Sequence, residues 1–305
     1  YNIGFTTVTF RKKSRREICE IAVKNNIKFI EWGGDVHLPP NDINALRDVL
    51  SLQEEFGLTA ASYGTYYRLG EENYSLWESV TDTANAIGAK IIRIWQGTKA
   101  SADVNESEFL SMVDETRVLA DIASQKGLTV AFEFHNGTNN DNGKSSVEFL
   151  KAVNKQNVKT YWQPFSTDDD ISNLKAVIPY LACVHIFEWN ENGKRYPLKH
   201  GSKKWQEIFK IIDESKTNPY LIMEFVKHDS KGLKTSACAN EELIMANKEL
   251  QSIAEFCRDN WSDYCDFTIK TADRVCENRF LFDSPRDMER TESTVDFGKK
   301  IDWYY

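Results

Sequence analysis

The chain has 305 residues, 41% of them hydrophobic and 28% charged, enough to bury one large core or two small ones. Its net charge of −8 argues against nucleic acid as a partner, since phosphate binding needs a concentrated basic surface. No run approaches the roughly 20 apolar residues of a membrane-spanning helix, and no basic head precedes an apolar stretch at the N-terminus, so neither a membrane partner nor a signal peptide is expected.

The first predicted strand covers residues 3–10. After it, Arg11-Lys12-Lys13-Ser14-Arg15-Arg16 opens a helix and reads as a solvated face, while Ile18, Ile21 and Ala22 supply the buried stripe at i, i+3, i+4. Further strands are predicted at 29–33, 59–63, 90–95, 129–135, 160–163, 183–188 and 220–226. Gly57, Gly88 and Gly127 each close a helical run shortly before a strand, as C-cap glycines do. Trp205, Ile208, Phe209 and Ile212 mark the amphipathic helix before the last strand, and a helical stretch at about 239–256 completes an eighth unit. Eight βα units predict an α/β fold, a single (β/α)₈ barrel over residues 1–256. A doubly wound open sheet is the alternative, but no Gly-x-Gly-x-x-Gly turn follows the first strand.

Residues 257–305 do not continue the repeat. They are rich in charge but carry Phe280-Leu281-Phe282 and Ile301-Asp302-Trp303-Tyr304-Tyr305, aromatic clusters that a disordered tail would lack. The expectation is a helix near 269–277, then irregular chain that packs on the barrel or leads to a further domain. The six cysteines form no Cys-x-x-Cys pair and read as reduced structural thiols, which points to the cytoplasm.

In a barrel of this kind, polar residues at the C-terminal ends of strands read as site residues. Strand five carries Phe132-Glu133-Phe134-His135, in which period two puts Glu133 and His135 on one side; strand seven carries His185, and strand eight carries Glu224. Glutamates inside apolar strands are costly unless paired or coordinated. Two glutamates and a histidine converging from three strands make an oxygen/nitrogen ligand set suited to Mn²⁺, Mg²⁺, Co²⁺ or Zn²⁺. The structural alternative for any one of them is a buried Glu–His or Glu–Arg pair. Trp32, Trp95, Trp162 and Trp189 fall near the ends of strands two, four, six and seven; singly each reads as a core or rim aromatic, and together they suggest stacking platforms for a small carbohydrate. Arg195, after strand seven, is a candidate for a substrate carboxylate or hydroxyls, with a solvated loop arginine as the alternative. Homo-oligomerisation is left open.

The segments Ile30-Glu31-Trp32-Gly33-Gly34-Asp35-Val36-His37, Ala61-Ser62-Tyr63-Gly64-Thr65-Tyr66-Tyr67, Phe132-Glu133-Phe134-His135-Asn136-Gly137-Thr138 and Tyr161-Trp162-Gln163-Pro164 resemble the sugar phosphate isomerase/epimerase group. That group belongs to the xylose isomerase-like barrels, which also include endonuclease IV. The match continues through Val184-His185-Ile186-Phe187-Glu188-Trp189, Arg195, Gly201, Trp205 and Glu224-Phe225-Val226, and spans about residues 3–256. It implies metal ligands at Glu133, Gln163, His185 and Glu224, with Gln163 standing where the family carries an aspartate. It also implies that His37, His135 and Arg195 lie near the substrate, and Tyr66, within the second segment, is a further substrate-binding candidate. Residues 272–303 have a weaker likeness to the lead-in of heparinase II/III-type lyases.

The expected activity is isomerisation or epimerisation of a sugar or uronate, with Glu133 and Glu224 exchanging the proton on opposite faces and a divalent metal polarising the carbonyl. The alternatives are a dehydratase using the same site and a barrel that binds carbohydrate without catalysis, the latter suggested by Gln163. A phosphodiesterase resembling endonuclease IV is not expected, since the additional zinc ligands and the basic surface are absent from the sequence.

Overall fold

The computed structural model describes residues 2–189, 195–196 and 198–225, in two units. The first contains residues 2–186 and 217–224, and the second contains 187–216 and residue 225. The predicted helices at 239–256 and 269–277, the 257–305 extension with its heparinase-like stretch, and four of the six cysteines lie outside the described residues.

In the first unit, strands and helices alternate: β1 (Asn2–Thr6), α1 (Arg15–Lys24), β2 (Phe29–Gly33), α2 (Ile43–Phe56), β3 (Thr59–Arg68), α3 (Tyr74–Ala86), β4 (Ile91–Trp95), α4 (Glu106–Ser124), β5 (Thr129–Glu133), α5 (Gly143–Val153), β6 (Val158–Trp162), α6 (Asp170–Val177) and β7 (Leu181–Ile186). The second unit holds the short strands β8 (Glu188–Trp189) and β9 (Arg195–Tyr196) and the helix α7 (Ser202–Ser215), after which β10 (Tyr220–Met223) returns to the first. Every neighbouring pair in the barrel is parallel, and β1 closes it by pairing with both β2 and β10. The (β/α)₈ expectation holds.

Local chemistry sets the boundaries. Ser14 and Glu17 form a reciprocal capping box that starts α1, and Asn105 with Glu108 does the same for α4. Gly57, Gly88 and Gly127 have φ of +64°, +76° and +66°, as αL helix ends require. The basic cluster is not simply solvated: Arg11 pairs with Asp35, Arg15 with Asp48 and Arg16 with Glu55.

Several strand ends differ from the sequence expectation. The first strand stops at Thr6, whose hydroxyl accepts the Val8 N–H and starts a 3₁₀ turn over Thr7–Phe10. The third continues to Arg68. The fifth ends at Glu133 because the chain turns, with the His135 N–H donating to the Asn140 carbonyl at 3.1 Å. The predicted strand 183–188 divides, since Glu188 and Trp189 pair instead with Tyr196 and Arg195 in a small antiparallel sheet.

The barrel interior is layered. Its apolar floor contains Ala61, Ile91, Ala131, Tyr161, Cys183 and Ile222, with Phe29 and Tyr220 packed against it. Residues two positions further along a strand occupy the next layer on the same face. In the second unit, Glu188 accepts from Trp205 Nε1 at 2.8 Å and Lys204 Nζ at 2.9 Å, and α7 buries the expected Trp205, Ile208, Phe209 and Ile212. No helix among the described residues is long and apolar enough to cross a membrane.

Candidate metal centre

Counting two positions on from the floor gives the site. Phe29 leads to Glu31, Ile91 to Arg93, Ala131 to Glu133, Tyr161 to Gln163, Cys183 to His185 and Ile222 to Glu224. All six are buried, Glu31 and His185 completely and Gln163 the least at 8% exposure. A row of charged and polar groups therefore sits directly on an apolar floor at the C-terminal ends of the strands.

His185 Nδ1 is the point of convergence. It lies 2.8 Å from Gln163 Oε1, 3.3 Å from Glu224 Oε2 and 3.5 Å from Glu133 Oε1. One ligand atom from each of Glu133, His185 and Glu224 falls within 4.8 Å of the others. The sequence-predicted ligands are thus brought together, Gln163 included. On the far side of the ring, Nε2 has no hydrogen-bond partner and faces Glu31 Oε1 at 3.9 Å. Tyr161 supports the imidazole, ring to ring at 4.4 Å.

Glu31 and Arg93 belong to the site but were not singled out in the sequence. Arg93 reaches Glu31 through Nε at 3.2 Å and Glu133 through Nη1, and Ser62 Oγ donates to Glu31 Oε2 at 2.8 Å. Gly64 makes room for this pair, because a Cβ there would lie 2.7 Å from Arg93 Nη2 and 2.8 Å from Glu31 Oε1. Both residues carry the signal used for Glu133, a charge inside an apolar strand in register with the floor.

Three carboxylates face one guanidinium, which leaves two uncompensated negative charges when His185 is neutral. Buried charge of that kind is costly without a counter-ion. With Gln163 neutral, the Glu31–Arg93 pair balances itself and Glu133 with Glu224 balances one divalent cation. The donor set of two carboxylates, one amide oxygen and one imidazole nitrogen fits Mg²⁺, Mn²⁺, Co²⁺ or Zn²⁺. A cation on Nδ1 would leave Nε2–H for Glu31, the outer carboxylate that commonly orients a ligating histidine.

Burial pushes Glu133 up, but Arg93, His185 and Trp95 together outweigh it and hold the carboxyl well below the usual range; Arg93, His185 and Ser62 do the same for Glu31. For Glu224 burial dominates, and with the charges of Glu133 and Glu31 it drives the carboxyl upward against the pull of His185 and Arg93. Burial pulls His185 down, yet Glu224, Glu133 and Glu31 raise it to about 10. A raised folded-state pKa means stability that is complete below the unfolded value of 6.5 and lost as pH climbs toward 10. Glu31 and Glu133 have the opposite sign, so their contribution is lost as pH falls through the carboxylate range. In chelator, the melting temperature should therefore fall between pH 6.5 and 9.5, and saturating Mg²⁺ should flatten the fall by replacing the bound proton. A chelated protein with a flat profile over that range would contradict the cluster's electrostatics.

The other candidates separate into groups. Trp95 Nε1 donates to Glu133 Oε2, and Tyr66 and His135 flank its ring at 5.5 and 4.8 Å between centroids, so these three form a rim beside the centre. Trp32 and Trp162 are fully buried and one residue out of register with Glu31 and Gln163, so they turn outward, contrary to their assignment as platforms. Trp32 Nε1 donates to Gln53 of α2 at 2.9 Å. His37 is also displaced: its Nε2 bonds to the Lys13 carbonyl at 3.0 Å in the loop before α1. Trp189 packs with Phe187 and Phe225 in the second unit, and the Arg195 side chain lies outside the described residues.

The xylose isomerase-like TIM barrel family profile matches residues 19–252. A 3-dehydroshikimate dehydratase of Bacillus anthracis is 22% identical over 280 residues, covering 81% of this chain and 97% of that protein. Among solved structures, D-psicose 3-epimerase from Clostridium cellulolyticum H10, crystallised with D-tagatose, superposes with a TM-score of 0.66 at 16% identity, covering 85% of this chain and 98% of its own. A xylose isomerase-like barrel protein from Mycobacterium smegmatis in complex with magnesium gives 0.60 at 15% identity, covering 83% and 97%.

Proposed function

From the premise that the chain belongs to the xylose isomerase-like TIM barrel family, we propose that it is a divalent-metal-assisted enzyme that moves a proton beside the carbonyl of a small polyhydroxylated substrate. The observation that carries this reading is the convergence of Glu133, Gln163, His185 and Glu224 on one point with two negative charges to spare. A cation held there supplies Lewis-acid polarisation of the substrate carbonyl.

The two carboxyls differ in environment, and so in proton affinity. Glu133 is kept ionised by Arg93 and Trp95, with Oε1 left to accept a proton from carbon. Glu224 lacks a guanidinium contact, so of the two carboxylates that would hold the cation it is the one that takes up a proton during turnover and returns it. Such a split is what acid–base catalysis at one centre requires. Proton return to carbon gives isomerisation or epimerisation, the first reading. Transfer to a departing hydroxyl, which leaves as water while the C–H and C–O bonds break and C=C forms, gives dehydration. The relationship to a 3-dehydroshikimate dehydratase favours keeping this second reading.

Incubating the Mg²⁺-loaded protein in D₂O with ketoses, aldoses, uronates and 3-dehydroshikimate tests the proposal. Deuterium is expected in recovered substrate or isomer, and loss of water instead marks the dehydratase. EDTA is expected to stop either. Turnover unchanged by EDTA, or no deuterium uptake and no water loss across the panel, would refute it.

A further inference from the structure

Arg68 ends β3 and pairs in register with Trp95 on β4. Its guanidinium carbon lies 3.7 Å from the centroid of the Trp95 ring, and the indole Nε1 of that ring is bonded to Glu133. One indole therefore separates Arg68 from a carboxylate of the metal centre.

Arg68 is partly buried yet holds no acid among the described residues. Among the described residues of its unit, the other buried or half-buried arginines each bind a carboxylate: Arg11 holds Asp35, Arg15 holds Asp48, and Arg93 holds Glu31 and Glu133. Among the described residues Arg68 makes one hydrogen bond, from Nη1 to the Gly97 carbonyl at 3.3 Å. Glu71 and Glu133 act on it only at longer range. A guanidinium has five N–H donors, and stacking on an aromatic face occupies its π-surface without using their edge. The residue is thus held flat, partly dehydrated and short of an anion beside a site built for a small substrate.

We propose that the substrate of this site is an acid, and that Arg68 is the specificity residue that pairs with its carboxylate while the carbonyl end faces Glu133 and Glu224. The assignment rests on the proposed function for the identity of the site. Trp95 sets the plane of the guanidinium, and Tyr66 and His135, against the same indole, line the path between the two ends. A planar carboxylate can take two parallel N–H bonds from such an edge, which a neutral hydroxymethyl group cannot.

The test is calorimetric titration of the Mg²⁺-loaded protein and of Arg68→Gln with paired probes. D-glucuronate, D-galacturonate and D-mannuronate are each compared with the neutral aldose, and 3-dehydroshikimate with its methyl ester. At least one acid is expected to bind about tenfold or more tighter than its neutral partner. Arg68→Gln should erase that preference and leave neutral binding within about twofold, and Arg68→Lys should restore part of it. No acid preference in the wild-type protein, or equal loss for both members of a pair in the variant, overturns the assignment. Deuterium uptake on the same samples separates this from the proposed chemistry. Uptake confined to neutral sugars and unchanged in Arg68→Gln removes the acid assignment alone. Acid binding that depends on Arg68 without uptake or water loss upholds it and removes the chemistry.

Discussion

Glu224→Gln is expected to lower solvent-deuterium exchange, or water loss, by about 10²–10⁴-fold while the barrel stays folded. The amide keeps the shape and an oxygen toward His185 Nδ1, which Glu224 Oε2 approaches at 3.3 Å, but it holds no transferable proton. The variant also removes one of the two negative charges available to a cation, so the Mg²⁺ affinity should fall with the rate. Stability in chelator should not fall. Burial and Glu133 already push the Glu224 carboxyl upward, which means that its charge opposes folding, and a neutral amide relieves that repulsion. Steady-state rates at saturating Mg²⁺ and a urea melt in chelator read the two effects separately. A variant that turns over like the wild type would remove Glu224 from the chemistry.

Arg93→Met should have the largest effect on stability. Arg93 is 3% exposed and is the only described cation, apart from His185, in contact with Glu31 and Glu133. Methionine fills much of the volume but strands two carboxylates on an apolar floor, and breaking a buried pair from one side costs about 3–5 kcal/mol. The double variant Glu31→Gln/Arg93→Met should recover part of that loss, because one stranded charge is gone. Mg²⁺ should bind Arg93→Met more tightly than wild type, since Glu133 then faces no competing cation. The free energies of the single and double variants, measured by urea denaturation in chelator and in Mg²⁺, check this. Additive losses, with the double variant weaker than the single, would contradict the pairing.

The architecture was legible because each strand carries a compact apolar run and three helices end on glycines at positive φ. Three of the four proposed donors were legible for a different reason: a charge inside such a run is expensive, and Glu133, His185 and Glu224 stand out, whereas the neutral Gln163 was legible only through the family resemblance. Glu31 and Arg93 carry the same signal. Glu31 passed as part of the Ile30–His37 motif, and Arg93 passed as one charge among Ile91, Ile92 and Ile94. Aligning the strands on their floor residues recovers both, but that floor is defined only once the barrel closes. Trp32 and Trp162 show the converse error. Position near a strand end does not mean position on the rim, because the two-residue period turns both away from Glu31 and Gln163, and Trp32 reaches Gln53 of α2. His135 reached the rim by another route than alternation, through a turn after Glu133 that lays its ring against Trp95.

The proposed divalent-cation site is the buried layer above the barrel floor. Elemental analysis after equilibration with Mg²⁺ or Mn²⁺ and removal of free ion tests it most directly. One cation per chain in the wild-type protein, lost in a folded His185→Ala variant, is the predicted result. A wild-type protein that retains no cation, or a His185→Ala variant that retains it in full, would contradict it.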